Sequence, residues 1–216
     1  MRKFYIVISF LSFCFFSCSS SNPKIKMYSI DVPLVYQAYS TWCVPASVLM
    51  CAEYFADIVG WYDCSIEEMS SEEKQGFILN KMNDCEGTTF YPFSNNGAPS
   101  SISNFFYRYL NINNREFAKL LTSTYLSEDY GFLENLKLEI RFEEKPLLCI
   151  LNASDDGAIT HAVVVTGYSY NEDDECVHKI YYNDPWYGEQ FLSKSEWETK
   201  AKLNSGCYLN IYYGEF

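Results

Sequence analysis

"TWCVPASVLM", residues 41–50, sets one thiol between a tryptophan and a run of small and apolar side chains. From Cys43 to about Val59 the apolar residues Val44, Val48, Cys51, Ala52, Phe55 and Ile58 recur at three- and four-residue steps, the period of a helix with one buried face. Pro45 fits such a helix only in its first turn, where its missing N–H leaves no hydrogen bond unmade. The helix therefore starts at Cys43. A helix start gathers unpaired amide N–H groups and the positive end of the dipole, and both favour thiolate over thiol. Cys43 is thus a candidate nucleophile, although a cysteine in an apolar run also serves as a small core side chain.

A thiol nucleophile needs a base, and the chain has 2 histidines, His161 and His178. His161 opens the apolar run "HAVVVTG", whereas His178 lies among charged residues in "DDECVHK" and reads as surface. His161 is the better partner. An imidazole in this role needs an acceptor that holds its tautomer and supports the imidazolium. Asp184 ends the run "KIYYND", directly before Pro185. If "HAVVVTGYSY" and "HKIYYND" pair as a hairpin through the acidic turn between them, His161 and Asp184 meet at the same end. Gln37, six residues before Cys43, supplies a side-chain amide that together with the Cys43 N–H could face a developing oxyanion.

The first half of the chain reads as helices. Ser65 and Glu68 have the spacing of a capping box, "SSISNFFYRYLN" places Ile102, Phe105, Phe106 and Tyr109 on one side of a short helix, and "EDYGFLENLKLEIRFEE" reads as a helix ended by Pro146. The second half holds "PLLCILNAS", "HAVVVTGYSY", "HKIYYNDPW" and "CYLNIYYGEF", short apolar or alternating runs bounded by Gly, Pro, Asn and Asp, which read as antiparallel strands. Helices followed by strands predict an α+β domain.

Composition narrows the partners. The 216 residues are 48% hydrophobic and 20% charged, so a single domain with a real core is expected, and the net charge of −12 excludes a nucleic-acid phosphate backbone as partner. There is no Cys-x-x-Cys pair and no paired histidines, so neither metal nor other cofactor is expected. At the N-terminus, Arg2 and Lys3 precede an uncharged run from Phe4 to Phe16, too short to span a bilayer, which reads as an export signal over residues 1–17. "SCSSSN" then resembles a bacterial lipoprotein lipobox, with Cys18 as the acylated residue, the membrane reached only through that lipid, and residues 18–29 as a polar tether. Of the 9 cysteines, Cys14 would leave with the signal and Cys18 would carry lipid. The odd number left over suits one reactive thiol, and Cys64 with Cys85, flanking one helical excursion, is the first candidate disulfide.

Taken together, "QAYSTWCVPASVLM", "THAVVVTGY" and "YYNDPWYG" resemble the papain-clan cysteine peptidases of bacteria, in particular their bacteriocin-leader-processing and staphopain-like branches. The similarity covers about residues 30–216. It implies a papain-like two-lobe fold with a central helix starting at the catalytic cysteine, Cys43 as nucleophile, His161 as general base, Asp184 as its orienter, Gln37 as oxyanion donor, and a peptide or protein as substrate. Trp42, Thr160 and Trp186 would flank the cleft. Val44 and Thr160 depart from the glycine or small residues common at these positions in relatives, which bears on cleft width. Two rivals share the same residues: a catalytically silent module that binds peptide in the cleft, and an acyl transferase of transglutaminase-like chemistry.

Overall fold

The computed structural model describes residues 24–86, 108–110, 123–125, 136–152, 160–173, 175–202 and 207–209. Its first helix, α1 (Cys43–Val59), has the predicted bounds and carries Pro45 in its first turn. Val44 through Ala52 are all buried, so this half of α1 is wrapped on every side, as expected of a helix without a polar stripe. Ile58, expected inward, is 63% exposed, because the last turn runs past its neighbours before Gly60 ends the helix with φ +79°.

Two more helices follow among the described residues of the N-terminal part. A single turn, α2 (Cys64–Glu67), is capped by the Asp63 carboxylate accepting from the Ser65 N–H at 2.9 Å. The capping box expected at Ser65 and Glu68 lies instead at Ser70 and Glu73, in front of α3 (Ser71–Glu86), where each side chain bonds the other residue's N–H at 2.8 and 3.3 Å. The candidate Cys64–Cys85 disulfide is not made: Cys64 is an exposed free thiol. The physical reason is length, since α3 carries Cys85 about 21 Å along its axis from Ser71, beside which α2 ends, whereas a disulfide needs Cα atoms within about 7 Å. The segment holding Ile102, Phe105 and Phe106 lies outside the described residues; Tyr109 packs edge-on against Phe77 of α3, with centroids 5.0 Å apart.

The strands among the described residues are β1 (Ile25–Ser29), β2 (Ser123–Tyr125), β3 (Leu147–Asn152), β4 (Thr160–Asn171), β5 (Cys176–Asp184), β6 (Gly188–Ser193) and β7 (Cys207–Leu209). They form one antiparallel sheet in the order β2-β7-β3-β4-β5-β6, with β1 alongside the second half of β4. Residues 25–29, assigned to a tether from sequence, are therefore a strand of the domain. Leu138–Phe142, in the stretch expected to be α-helical, winds as a π-helical turn. A last helix, α4 (Lys194–Lys202), follows β6 and is capped by Ser193 and Glu196.

Both faces of β4 are covered, which explains its uninterrupted "AVVV". Ala162 and Val164 face α1 together with Leu148 and Ile150 of β3. Val163 and Val165 face the other way, into a second core with Leu136, Ile140, Tyr182 and Trp197 of α4. The α+β architecture expected from the sequence is thus present, with α1 lying centrally against β4. Gly167 marks where β1 crosses closest: a Cβ there would stand 2.7 Å from the Tyr28 carbonyl oxygen and 3.0 Å from Ser29 Cβ. Backbone cannot retreat without breaking the β1–β4 pairing. Gly167→Ala should cost about 1–3 kcal/mol of stability, read as a lower denaturant midpoint at unchanged slope.

Candidate active site

Three elements converge on one point. The N-terminus of α1 presents Cys43, the start of β4 presents His161, and the end of β5 presents Asp184. The hairpin register pairs Val164 with Asn183, which places the start of β4 and the end of β5 together, as the acidic-turn hairpin predicts. His161 Nε2 lies 2.8 Å from Asp184 Oδ1. With Nε2 engaged by the carboxylate, the ring's other nitrogen is left to act on the Cys43 thiol, and thiol and imidazole influence each other's ionisation.

The electrostatics follow from this chain of contacts. Burial pushes the Cys43 thiol up, but the His161 imidazole, the Ala162 and Val44 N–H groups and the imidazole's charge outweigh it, and the thiol sits below its ordinary range. Burial pulls His161 down, yet its bonds to Asp184 and Cys43 win and push it up to about 9. Burial also works against the Asp184 carboxylate; the His161 bond and the Trp186 and Tyr187 N–H groups, donating to Oδ1 at 2.7 and 3.0 Å, hold it below the usual carboxylate range. Near neutral pH an imidazolium and a carboxylate therefore stand beside a thiol whose ionisation the imidazole favours. Cys51, by contrast, is fully buried in α1, and burial alone pushes its thiol up beyond titration near neutral pH.

Gln37 reaches the same place from the segment before α1. Its backbone N–H donates to the Pro185 carbonyl at 2.9 Å, tying it to the turn that follows Asp184. Its side-chain Nε2 donates to the Tyr39 carbonyl at 2.8 Å, which leaves the second amide hydrogen uncommitted. The segment is pinned from behind by Gln75 of α3, which is 1% exposed and grips both the Ala38 N–H (3.0 Å) and the Tyr36 carbonyl (2.9 Å). Sequence reasoning missed Gln75, since a glutamine on an acidic helix reads as surface.

Of the three residues expected to flank the cleft, the positions differ. Trp42 packs at a tilt against Tyr39, with centroids 4.5 Å apart, and lies against Gly76 of α3; it is a packing residue beside Cys43 in sequence. Trp186 is 50% exposed and lines a groove of about 630 Å³ together with Gln37, His161, Asp184, Tyr187 and Phe191. Thr160 pairs with Asn152 through the backbone, and its side chain lies outside the described residues, as does Cys18. His178 is exposed on β5, six residues from Asp184 along the strand. Among the described residues no group of three or more His, Cys, Asp or Glu side chains could hold a metal ion.

Comparison with known proteins agrees with this geometry at the level of the family. No curated protein and no solved structure matches the chain. The model of the Peptidase_C39 like family matches residues 29–214, from the end of β1 through β7. Covering nearly the whole chain, that match means that the protein belongs to the Peptidase_C39 like family, a family of papain-like cysteine peptidases.

Proposed function

We propose that the protein is a cysteine peptidase that hydrolyses peptide bonds with Cys43, His161 and Asp184 as its triad and Gln37 as an oxyanion donor. The observation that carries this reading is the bond from His161 Nε2 to a buried Asp184, with the Cys43 thiol at the start of α1 close enough for the imidazole to lower its pKa. A core thiol has no use for a hydrogen-bonded imidazole, and a core imidazole has no use for a thiol at a helix start. The motifs around these residues also carry the finer resemblance, to the leader-processing and staphopain-like branches.

In this reading the Cys43 thiolate adds to the carbonyl carbon of the scissile bond, and the oxygen takes up the negative charge. The first-turn N–H of α1 and the free Gln37 amide hydrogen stabilise that oxyanion. His161 gives its proton to the departing amine, which leaves an acyl thioester on Cys43. Water then attacks the thioester, with neutral His161 taking its proton, and the carboxylic acid departs as the thiolate–imidazolium pair returns.

Cleavage profiling of a peptide library with wild type and Cys43→Ala tests this. New N-termini that appear only with the wild type are expected. Cleavage by both proteins, or by neither while Cys43 alkylates no faster than free cysteine, sinks the reading in favour of a silent binding module; an amide product formed with an added amine at the expense of hydrolysis shows acyl transfer. Gln37→Ala should lower kcat by on the order of 10²-fold, about 3 kcal/mol, while leaving the alkylation rate of Cys43 within about twofold, because an oxyanion donor acts only once charge develops. We also propose export and acylation at Cys18, supported by Arg2, Lys3, the uncharged run to Phe16 and the serine-rich stretch behind Cys18. Incorporation of a labelled fatty acid that survives Cys18→Ser would overturn that assignment.

A further inference from the structure

Among the described residues, the groove beside His161 carries one lysine. In the reaction proposed above, on which this inference rests, the imidazole protonates the departing amine, so the segment released with that amine lies on the imidazole's side of the thiol. The groove is lined by His161, Gln37 and Trp186 and not by Cys43, and therefore receives this leaving segment. Its walls include Trp186, Tyr187 and Phe191, exposed by 50%, 71% and 55%. Rings of this kind lower the local dielectric, and a charge beside them acts more strongly than one in open water.

Lys200, on α4, lines the same groove. Its place is set by Asn152, a residue only 5% exposed at the end of β3, whose Nδ2 donates to the Lys200 carbonyl at 3.0 Å. Asn152 pairs with Thr160, the neighbour of His161, so the end of α4 is tied to the strand ends that present the imidazole. Among the described residues the groove has one carboxylate, Asp184, already taken by His161 and two backbone N–H groups. Glu196, one helical turn before Lys200, is occupied by the Ser193 N–H and hydroxyl at 2.8 and 2.6 Å. No described carboxylate forms an ion pair with Lys200. Glu196 feels the Lys200 charge but does not bond the ammonium, so in the groove of a chain whose net charge is −12 a position is left for a carboxylate supplied by the ligand.

We propose that Lys200 selects substrates bearing a carboxylate on the leaving side of the scissile bond, either an Asp or Glu side chain or the free C-terminus of the peptide. Both present the same group to the ammonium, and peptide design separates them. Fluorogenic peptides sharing one acyl half would carry Glu, Gln or Lys on the leaving half, each ending as free acid or amide, and would be assayed with wild type, Lys200→Gln and Lys200→Glu. The expected result is kcat/KM about fivefold higher for the acidic peptide than for its neutral match, the preference abolished in Lys200→Gln and turned towards Lys in Lys200→Glu. A preference that follows the terminus and ignores the side chain identifies the C-terminal carboxylate as the ligand. Equal rates for Glu and Gln peptides of both endings with wild type, or a preference unchanged in Lys200→Gln, would overturn the assignment and leave the peptidase reading standing. Binding of the same peptides to Cys43→Ala, followed by Trp186 fluorescence, reads the preference without chemistry. If acidic peptides bind tighter there and Lys200→Gln removes the difference, while wild type cleaves none of them, the peptidase reading fails and the Lys200 site survives; equal binding of acidic and neutral peptides overturns the site.

Discussion

Replacing His161 by alanine should lower kcat/KM for peptide cleavage by on the order of 10⁴-fold and slow alkylation of Cys43 at pH 7 by about 50-fold. The two losses have separate causes. Cleavage fails because nothing carries the proton to the departing amine or takes it from the attacking water. Alkylation slows because the imidazole is the chief group holding the thiol down; without it, burial acts against only the Ala162 and Val44 N–H groups. A thiol returned to its ordinary range or above is then on the order of 1% thiolate at pH 7. His161→Gln keeps most of the side-chain volume at this partly buried position, 20% exposed, and should be as inactive while unfolding at the wild-type denaturant midpoint. Iodoacetamide kinetics with mass-spectrometric assignment to Cys43 measure the effect. An unchanged labelling rate in both variants would mean that thiol and imidazole do not communicate, and the triad would fall.

Asp184 should divide into two functions under substitution. Its Oδ1 accepts from His161 Nε2 and from the N–H groups of Trp186 and Tyr187, while the residue is 5% exposed. Asp184→Asn keeps an acceptor for the turn but removes the charge that raises His161. Burial is then opposed by Cys43 alone, and the imidazole's titration should drop below about 9. Wild-type kcat/KM should rise with pH as Cys43 ionises, below the ordinary thiol range, and fall as His161 loses its proton near pH 9. In Asp184→Asn the alkaline limb moves to lower pH, and activity at pH 8 drops by on the order of 10²–10⁴-fold with little loss of stability. Asp184→Ala also strands two N–H groups and should cost about 3 kcal/mol of folding free energy in addition. Coincident pH profiles for wild type and Asp184→Asn would remove Asp184 from the mechanism.

How much of this was legible in the chain depends on the distance over which each signal acts. The bounds of α1 follow from a 3.6-residue period, a proline confined to a first turn and a glycine after the last turn, all within eighteen residues. The strands β3, β4 and β5 announce themselves by short apolar runs between turn residues, and the β4–β5 hairpin by the acidic turn joining them. The capping box slid by five residues because Ser-x-x-Glu occurs both at Ser65 and at Ser70; only the second has a long helix behind it to cap. β1 was hidden because five residues without a buried face make a strand only when a partner is present, and its partner begins well over a hundred residues later.

For the site the division is similar. Residue types, their order and their places at the ends of elements nominate Cys43, His161, Asp184 and Gln37, since each role demands a chemistry that few side chains possess. The neighbours that hold them have no such restriction: Gln75, Asn152 and Lys200 are ordinary polar residues whose use comes only from what stands opposite.

What the chain by itself determined is the set of local structures and the chemical groups at their ends, because helix period, turn residues and side-chain reactivity act between near neighbours. The pairing of β1 with β4 at Gly167, the Gln75 grip on the Gln37 segment and the groove reaching Lys200 were decided only in three dimensions. Each depends on burial shared between segments remote in sequence, a quantity that no local window contains.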